Sequence, residues 1–180
     1  MKIGTLEIMP ASTRPELMAE PTRNMAEQYS GQIDVVEIDP ALADTAAFCE
    51  RYQIGLDVSA NCVIVKGMRG EEVKYAACMI LATTKADVNN VVKKYLDVKK
   101  ISFAPMEEAV QLTAMEFGGI TPVGLPADWP ILIDAKVAGS PQLVIGSGIR
   151  GSKLVVSGAL LTRLPNAVVL EGLGIPKTNL

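Results

Sequence analysis

The chain contains no histidine, so any chemistry must come from carboxylates, lysines, hydroxyls, thiols or backbone amides. Serine–histidine and cysteine–histidine nucleophile systems are excluded, as are the usual zinc ligand sets. Ser147 and Ser157 have no evident base and make poor nucleophiles. The three cysteines, Cys49, Cys62 and Cys78, are odd in number, widely spaced and set among apolar neighbours. That is the pattern of small buried hydrophobes, not of a disulfide framework or a four-cysteine zinc site. Neither a metal nor a cofactor is expected.

Backbone chemistry has a clear candidate in EFGGITPVGLPADWPILIDA, residues Glu116–Ala135. The stretch is too apolar for a solvated loop, and Pro122, Pro126 and Pro130 argue against a core strand. Gly118 and Gly119 leave their N–H groups approachable, since no Cβ shields them. The prolines fix φ and reduce the entropy lost on ordering. Such a segment can wall a small pocket and present amides to a carbonyl or a developing oxyanion. A rigid structural crossover is the alternative. Asp134 ends the apolar run Ile131–Asp134, where burial demands partners; a structural hydrogen bond and an orienting role both fit.

GSGIRG, Gly146–Gly151, spells the dinucleotide-binding pattern, and Glu171 follows at a suitable interval. What comes next, SKLVVSG, reads as a strand, so the βαβ frame of a nucleotide site is missing. A glycine-rich turn between strands is the plainer reading. Exposed amides together with Arg150 could also hold a phosphate or carboxylate. Lys93, Lys94, Lys99 and Lys100 make a local basic face, diluted by Asp97. It is either solvated or a source of salt-sensitive, sequence-blind phosphate contacts. Lys66 and Lys74 flank a turn and are expected to be exposed.

The elements that must position these groups can be read in outline. At 180 residues, with 49% apolar and 21% charged residues, a single globular domain over 1–180 is expected. Helical segments are predicted around Thr22–Tyr29, after the Asp39-Pro40 cap, after Asp87, from Pro105 to about Ala114, and near Ala159–Leu164. The second of these carries Leu42, Phe48, Cys49 and Tyr52 on one face. Strands are predicted at Ile33–Asp39, Ile131–Asp134, Gln142–Ile145, Lys153–Ser157 and Ala167–Leu170. Between residues 62 and 82 lies a hairpin, Cys62–Val65 and Val73–Ala82, turning near Gly67–Gly70.

Strands and helices do not alternate, which argues against a doubly wound parallel sheet. The expected fold is α/β of the α+β type: a mixed, curved, barrel-like sheet with helices packed outside. No apolar run approaches the ~20 residues of a membrane span, and the N-terminus lacks signal-peptide features. A cytoplasmic protein with no membrane or DNA partner is expected. With a net charge of −3, a polyanionic partner would need a local basic patch.

GGITPVGLP, then WPILIDA, then GSGIRG resemble the YbaK and prolyl-tRNA-synthetase-associated family of aminoacyl-tRNA editing domains. The matching landmarks are a G-x-x-x-P loop (Gly118 to Pro122), the strand-ending Asp134, and the turn with Gly148, Arg150 and Gly151. The hairpin and the helix DVNNVVKKYL fall in the corresponding places, so the similarity runs from about Ile33 to Leu170. The resemblance implies a YbaK-like fold and hydrolysis of the ester that joins a wrong amino acid to tRNA. It implies a freestanding, trans-acting deacylase without metal or protein nucleophile, assisted by a substrate hydroxyl or thiol. On that reading Gly118 and Gly119 contact the oxyanion, and Phe117, Ile120, Thr121 and Pro122 shape the substrate wall. Asp134 orients substrate or water, Gly148, Arg150 and Gly151 meet the terminal adenosine, and Lys93, Lys94, Lys99 and Lys100 meet tRNA. The partners implied are aminoacyl-tRNA and, secondarily, a synthetase.

One departure stands out. The family carries a lysine at the start of the first hairpin strand, where VSANCVIV places Ala60 or Asn61. Asn61 can still donate a hydrogen bond but brings no charge, and forgoing a charge-assisted hydrogen bond costs ~1–3 kcal/mol. The alternative implied is a non-catalytic module that binds tRNA or a synthetase.

Overall fold

Two apolar runs, Cys62–Val65 and Ala76–Leu81, anchor the longest elements of the computed structural model, which describes residues 1–177. Residues 178–180, the tail of the expected 1–180 domain, lie outside the described residues. In chain order, β1 (Lys2–Ile3), β2 (Leu6–Glu7) and β3 (Met9–Pro10) precede α1 (Glu20–Ala26), β4 (Asp34–Glu37) and α2 (Thr45–Tyr52). The hairpin is β5 (Ala60–Arg69) and β6 (Glu72–Leu81), followed by β7 (Thr84–Ala86), α3 (Lys93–Leu96), β8 (Lys100–Phe103) and α4 (Met106–Thr113). The last third holds β9 (Ile131–Asp134), α5 (Ala135–Ala138), β10 (Leu143–Gly146) and β11 (Ser152–Val156). It ends with α6 (Gly158–Thr162), β12 (Ala167–Leu170) and β13 (Gly174–Pro176).

Gly70, at φ +62, supplies the left-handed residue that the tight β5–β6 turn requires. Two larger sheets result. One has the order β12-β9-β6-β5-β8, with β9 parallel to both β6 and β12; the other, β10-β11-β4-β3, is antiparallel. A bridge between Ser59 and Val144 joins them. The mixed, curved α/β arrangement is as expected, and the curvature comes from two open sheets meeting at a seam rather than from a closed barrel.

Helices cover the outer faces. Phe48, Cys49 and Tyr52 of α2 pack on Val36, Val144 and Val155, while Leu42 is only half-buried. Each large apolar side chain so buried contributes roughly 1.5–3 kcal/mol. Val88, Val92 and Leu96 pack on Val65, Cys78 and Leu132, on the five-stranded sheet. The segment after Asp87 opens as a π-helical turn over Val88–Val92, which the periodicity does not reveal. Nor does it reveal the short strands β7, β8 and β13 or the single-turn helix α5. Among the described residues no helix is long and apolar enough to cross a membrane.

Candidate functional site

The seam between the sheets holds a cavity of about 380 Å³, a size suited to a small ligand group. Four segments meet there. The start of α2 contributes Asp44, Thr45 and Phe48, and the start of β5 contributes Ser59, Ala60 and Asn61. Phe117, Gly118 and Ile120 form one wall, and Ile145, Gly146 and Lys153 another.

The glycine loop is held against the second sheet by its own backbone. Gly148 N–H donates to Gly119 O at 2.6 Å, and Glu116 N–H donates to Gly148 O at 2.8 Å. Gly118 sits at φ +82, a conformation open to glycine at little cost. Gly146 has no Cβ because the carbonyls of Ile120 and Gly119 occupy that space, 2.6 and 2.7 Å from where one would stand. The Gly119 N–H, expected to contact the oxyanion, is already bonded to Glu116 O at 2.9 Å. Among the described residues no hydrogen bond holds the amides of Gly118 or Ile120.

Arg150 braces this loop. Its backbone N–H donates to Glu116 Oε1 at 2.8 Å, Nη1 to Phe117 O at 3.1 Å and Nε to Pro40 O at 3.2 Å. Arg150 and Gly151 line an open depression outside the cavity, with Phe117 between the two. Gly148 packs tightly on Ala19 and Thr22, so this glycine serves the chain's own packing. The turn leads into β11, as its strand-like sequel predicts.

Several predicted residues lie elsewhere. Thr121 and Pro122 are buried behind the cavity wall. Asp134 is 3% exposed and does not border the cavity. Its Oδ2 accepts from Lys136 N–H at 3.1 Å, capping α5, and its Oδ1 accepts from Gly174 N–H at 2.9 Å. Both of these partners are backbone amides of the chain itself, as the structural alternative for Asp134 expects. Lys93, Lys94, Lys99 and Lys100 sit by the far end of β5, where Lys100 pairs with Met68. Seven residues of strand put that face roughly 20 Å from Asn61. Lys66 is not free but pairs with Glu108 at 2.8 Å, and Lys74 donates to Leu96 O at 3.0 Å. Ser147 bonds Ser152, and Ser157 caps α6 through Leu160 N–H at 3.1 Å.

Asn61 does border the cavity. Thr45 Oγ1 donates to its Oδ1 at 2.7 Å, which turns the Asn61 amide N–H groups toward other acceptors. Cys62 lies beside it, with burial first and Cys78 second pushing its thiol far above the ordinary range, so it is no thiolate nucleophile. Burial likewise pushes Cys78 up to about 12. Among the described residues no three of His, Cys, Asp and Glu cluster so as to hold a metal ion.

Lys153 is the residue that sequence reasoning missed. It lies on β11 opposite Gly146 and Val36 and is 8% exposed. Its Nζ donates to Ala43 O at 2.9 Å and stands 5.3 Å from the centre of the Phe48 ring. Burial, reinforced by Arg150 and partly opposed by Cys49 and Asp44, pushes its amine down to about 8. The available signal was a lone lysine leading directly into the apolar run Leu154–Val156 of a fully buried strand.

The site is thus a small cavity walled partly by main chain at the seam of a mixed α/β sheet. The chain belongs to the aminoacyl-tRNA editing domain family, whose model matches residues 39–164. Its fold is shared with the hypothetical protein APE2540, at a TM-score of 0.76 and 18% identity, covering 87% of this chain and 100% of that one. It is shared too with a candidate trans-editing enzyme for prolyl tRNA synthetase, at 0.72 and 18%, covering 85% and 94%. A scaffold protein used for epitope grafting matches at 0.72 and 17%, covering 85% and 95%. These likenesses show the YbaK-like fold alone. Among curated proteins, none matches the sequence.

Proposed function

We propose that the protein is a trans-acting aminoacyl-tRNA deacylase that hydrolyses the ester of a mischarged tRNA. The observation that carries this reading is the cavity of a family editing domain lined by Gly118 and Ile120, whose amides have no hydrogen-bond partner among the described residues. The scissile carbonyl oxygen would face those amides, which strengthen their hold as negative charge develops on it. Water adds to the carbonyl carbon, the bond to the ribose oxygen breaks, and that oxygen leaves with a proton. Amino acid and deacylated tRNA are released. A hydroxyl or thiol of the substrate supplies the local assistance, since no thiolate or serine–base pair borders the cavity among the described residues. Asn61 directs an amide N–H toward the bound acyl group, and Phe117 and Ile120 limit its size.

Deacylation of a panel of misacylated tRNAs tests the reading. Hydrolysis of at least one ester, lost on Ile120→Pro, which removes an amide, is the expected result. Saturable tRNA binding with no hydrolysis of any ester would instead make the protein a binding module.

A further inference from the structure

We propose that Lys153 is the cationic group that engages the reacting end of the substrate, entering the cavity from β11 rather than from the hairpin. The proposal rests on the deacylase reading above. An ammonium carries three N–H donors, and among the described residues only Ala43 O accepts one of them. No carboxylate lies within ion-pair distance of this amine among the described residues. A buried cation without a counter-ion is costly to keep, and an apolar side chain of the same length would fit the site at less cost. Such groups concentrate where a ligand completes them.

Position makes the ligand specific. Gly146, the cross-strand partner of Lys153, is the residue on which the Gly119–Ile120 backbone rests. Lys153 therefore lines one cavity with Gly118 and Ile120, whose amides carry no hydrogen bond among the described residues. An ester carbonyl lying between them gains negative charge as water adds, and a desolvated cation there acts strongly. Asn61, on the hairpin, is held by Thr45 and brings no charge. The charged and titratable groups facing Lys153 are Asp44, Arg150 and Cys49, from α2 and the loop before β11. With its amine pushed down to about 8, the protonated form that does this work is lost as pH rises through that value.

The test uses the full chain in two measurements. Lys153→Met is assayed on whichever misacylated tRNA the wild type hydrolyses, with kcat/KM followed from pH 6 to 10. A fall of ~100-fold or more in kcat/KM, together with loss of the alkaline limb near pH 8, is expected. A variant with wild-type kcat/KM overturns the proposal. Independently, the lysines of the wild type are reductively methylated with ¹³C and titrated by NMR with an amide-linked aminoacyl-adenosine, which cannot be hydrolysed. Lys153 methyl signals that move on binding support the proposal even if no ester is cleaved, in which case the deacylase reading alone fails. If the analogue binds and those signals stay in place, the proposal fails while the deacylase reading stands. Absence of both binding and hydrolysis removes the two together.

Discussion

Replacing Lys153 with methionine should stabilise the protein at neutral pH even as it removes the charge from the cavity. Burial takes the amine from an ordinary 10.5 to about 8, and each pH unit of that gap corresponds to 1.36 kcal/mol, or ~3 kcal/mol in all. Against this, Ala43 O loses its donor, which costs about 1 kcal/mol. The net advantage of methionine is therefore about 2 kcal/mol. Its pH dependence has a definite sign. Below pH 8 the folded wild type holds a buried charge and bears the whole cost. Between about 8 and 10.5 the folded state has released the proton while the unfolded chain still binds it, so wild-type stability rises with pH across that window. The variant has no such rise, and its advantage should vanish by pH 10.5. Urea unfolding of both proteins at pH 7 and pH 10 measures the difference, in which titrations common to the two cancel. A variant less stable at pH 7, or a difference equal at both pH values, would refute the reasoning.

Gly146→Ala would place a methyl 2.6 Å from Ile120 O, forcing the loop off β10. A loss of ~1–3 kcal/mol in stability and a collapse of deacylation are expected, read by thermal melting and kcat/KM. Asp134→Ala should cost ~2–4 kcal/mol, for two lost hydrogen bonds to backbone amides, and leave kcat/KM of the folded protein unchanged. A fall in kcat/KM without loss of stability would return Asp134 to the site. Exchanging Lys93, Lys94, Lys99 and Lys100 for alanine should weaken tRNA binding and flatten its salt dependence by ~0.9 for each phosphate no longer neutralised. An unchanged slope in a filter-binding titration would show that this face is only solvated.

The parts of the molecule legible in sequence were those carried by an unbroken apolar run. β9 and β12 fall where their apolar runs place them, and the β5–β6 hairpin announces itself by apolar strands around Gly70. β7, β8 and β13 were invisible because three or four residues without an unbroken apolar run have no period to detect. The site divides in the same way. The Gly118 loop could be found because its glycine and proline content has few other uses. Asp134 was correctly seen to need partners, but one of them, Gly174, is brought from forty positions away by β13. Lys153 escaped because one lysine in a strand looks like the polar half of an alternation. Only the packing of α2 over that face turns it into a buried charge.

The Gly119–Ile120 backbone pressed on Gly146 has a consequence for how this cavity can change over time. A wall made of main chain cannot be reshaped by exchanging one side chain for another, so mutation has little purchase there. Divergence in what the cavity accepts is channelled to the side chains around it, Thr45, Ser59 and Asn61 on one side and Phe117 and Ile120 on the other. Anyone wishing to re-target the protein to a bulkier acyl group would trim the exposed Phe117, not the core residue Phe48, and leave the glycines untouched.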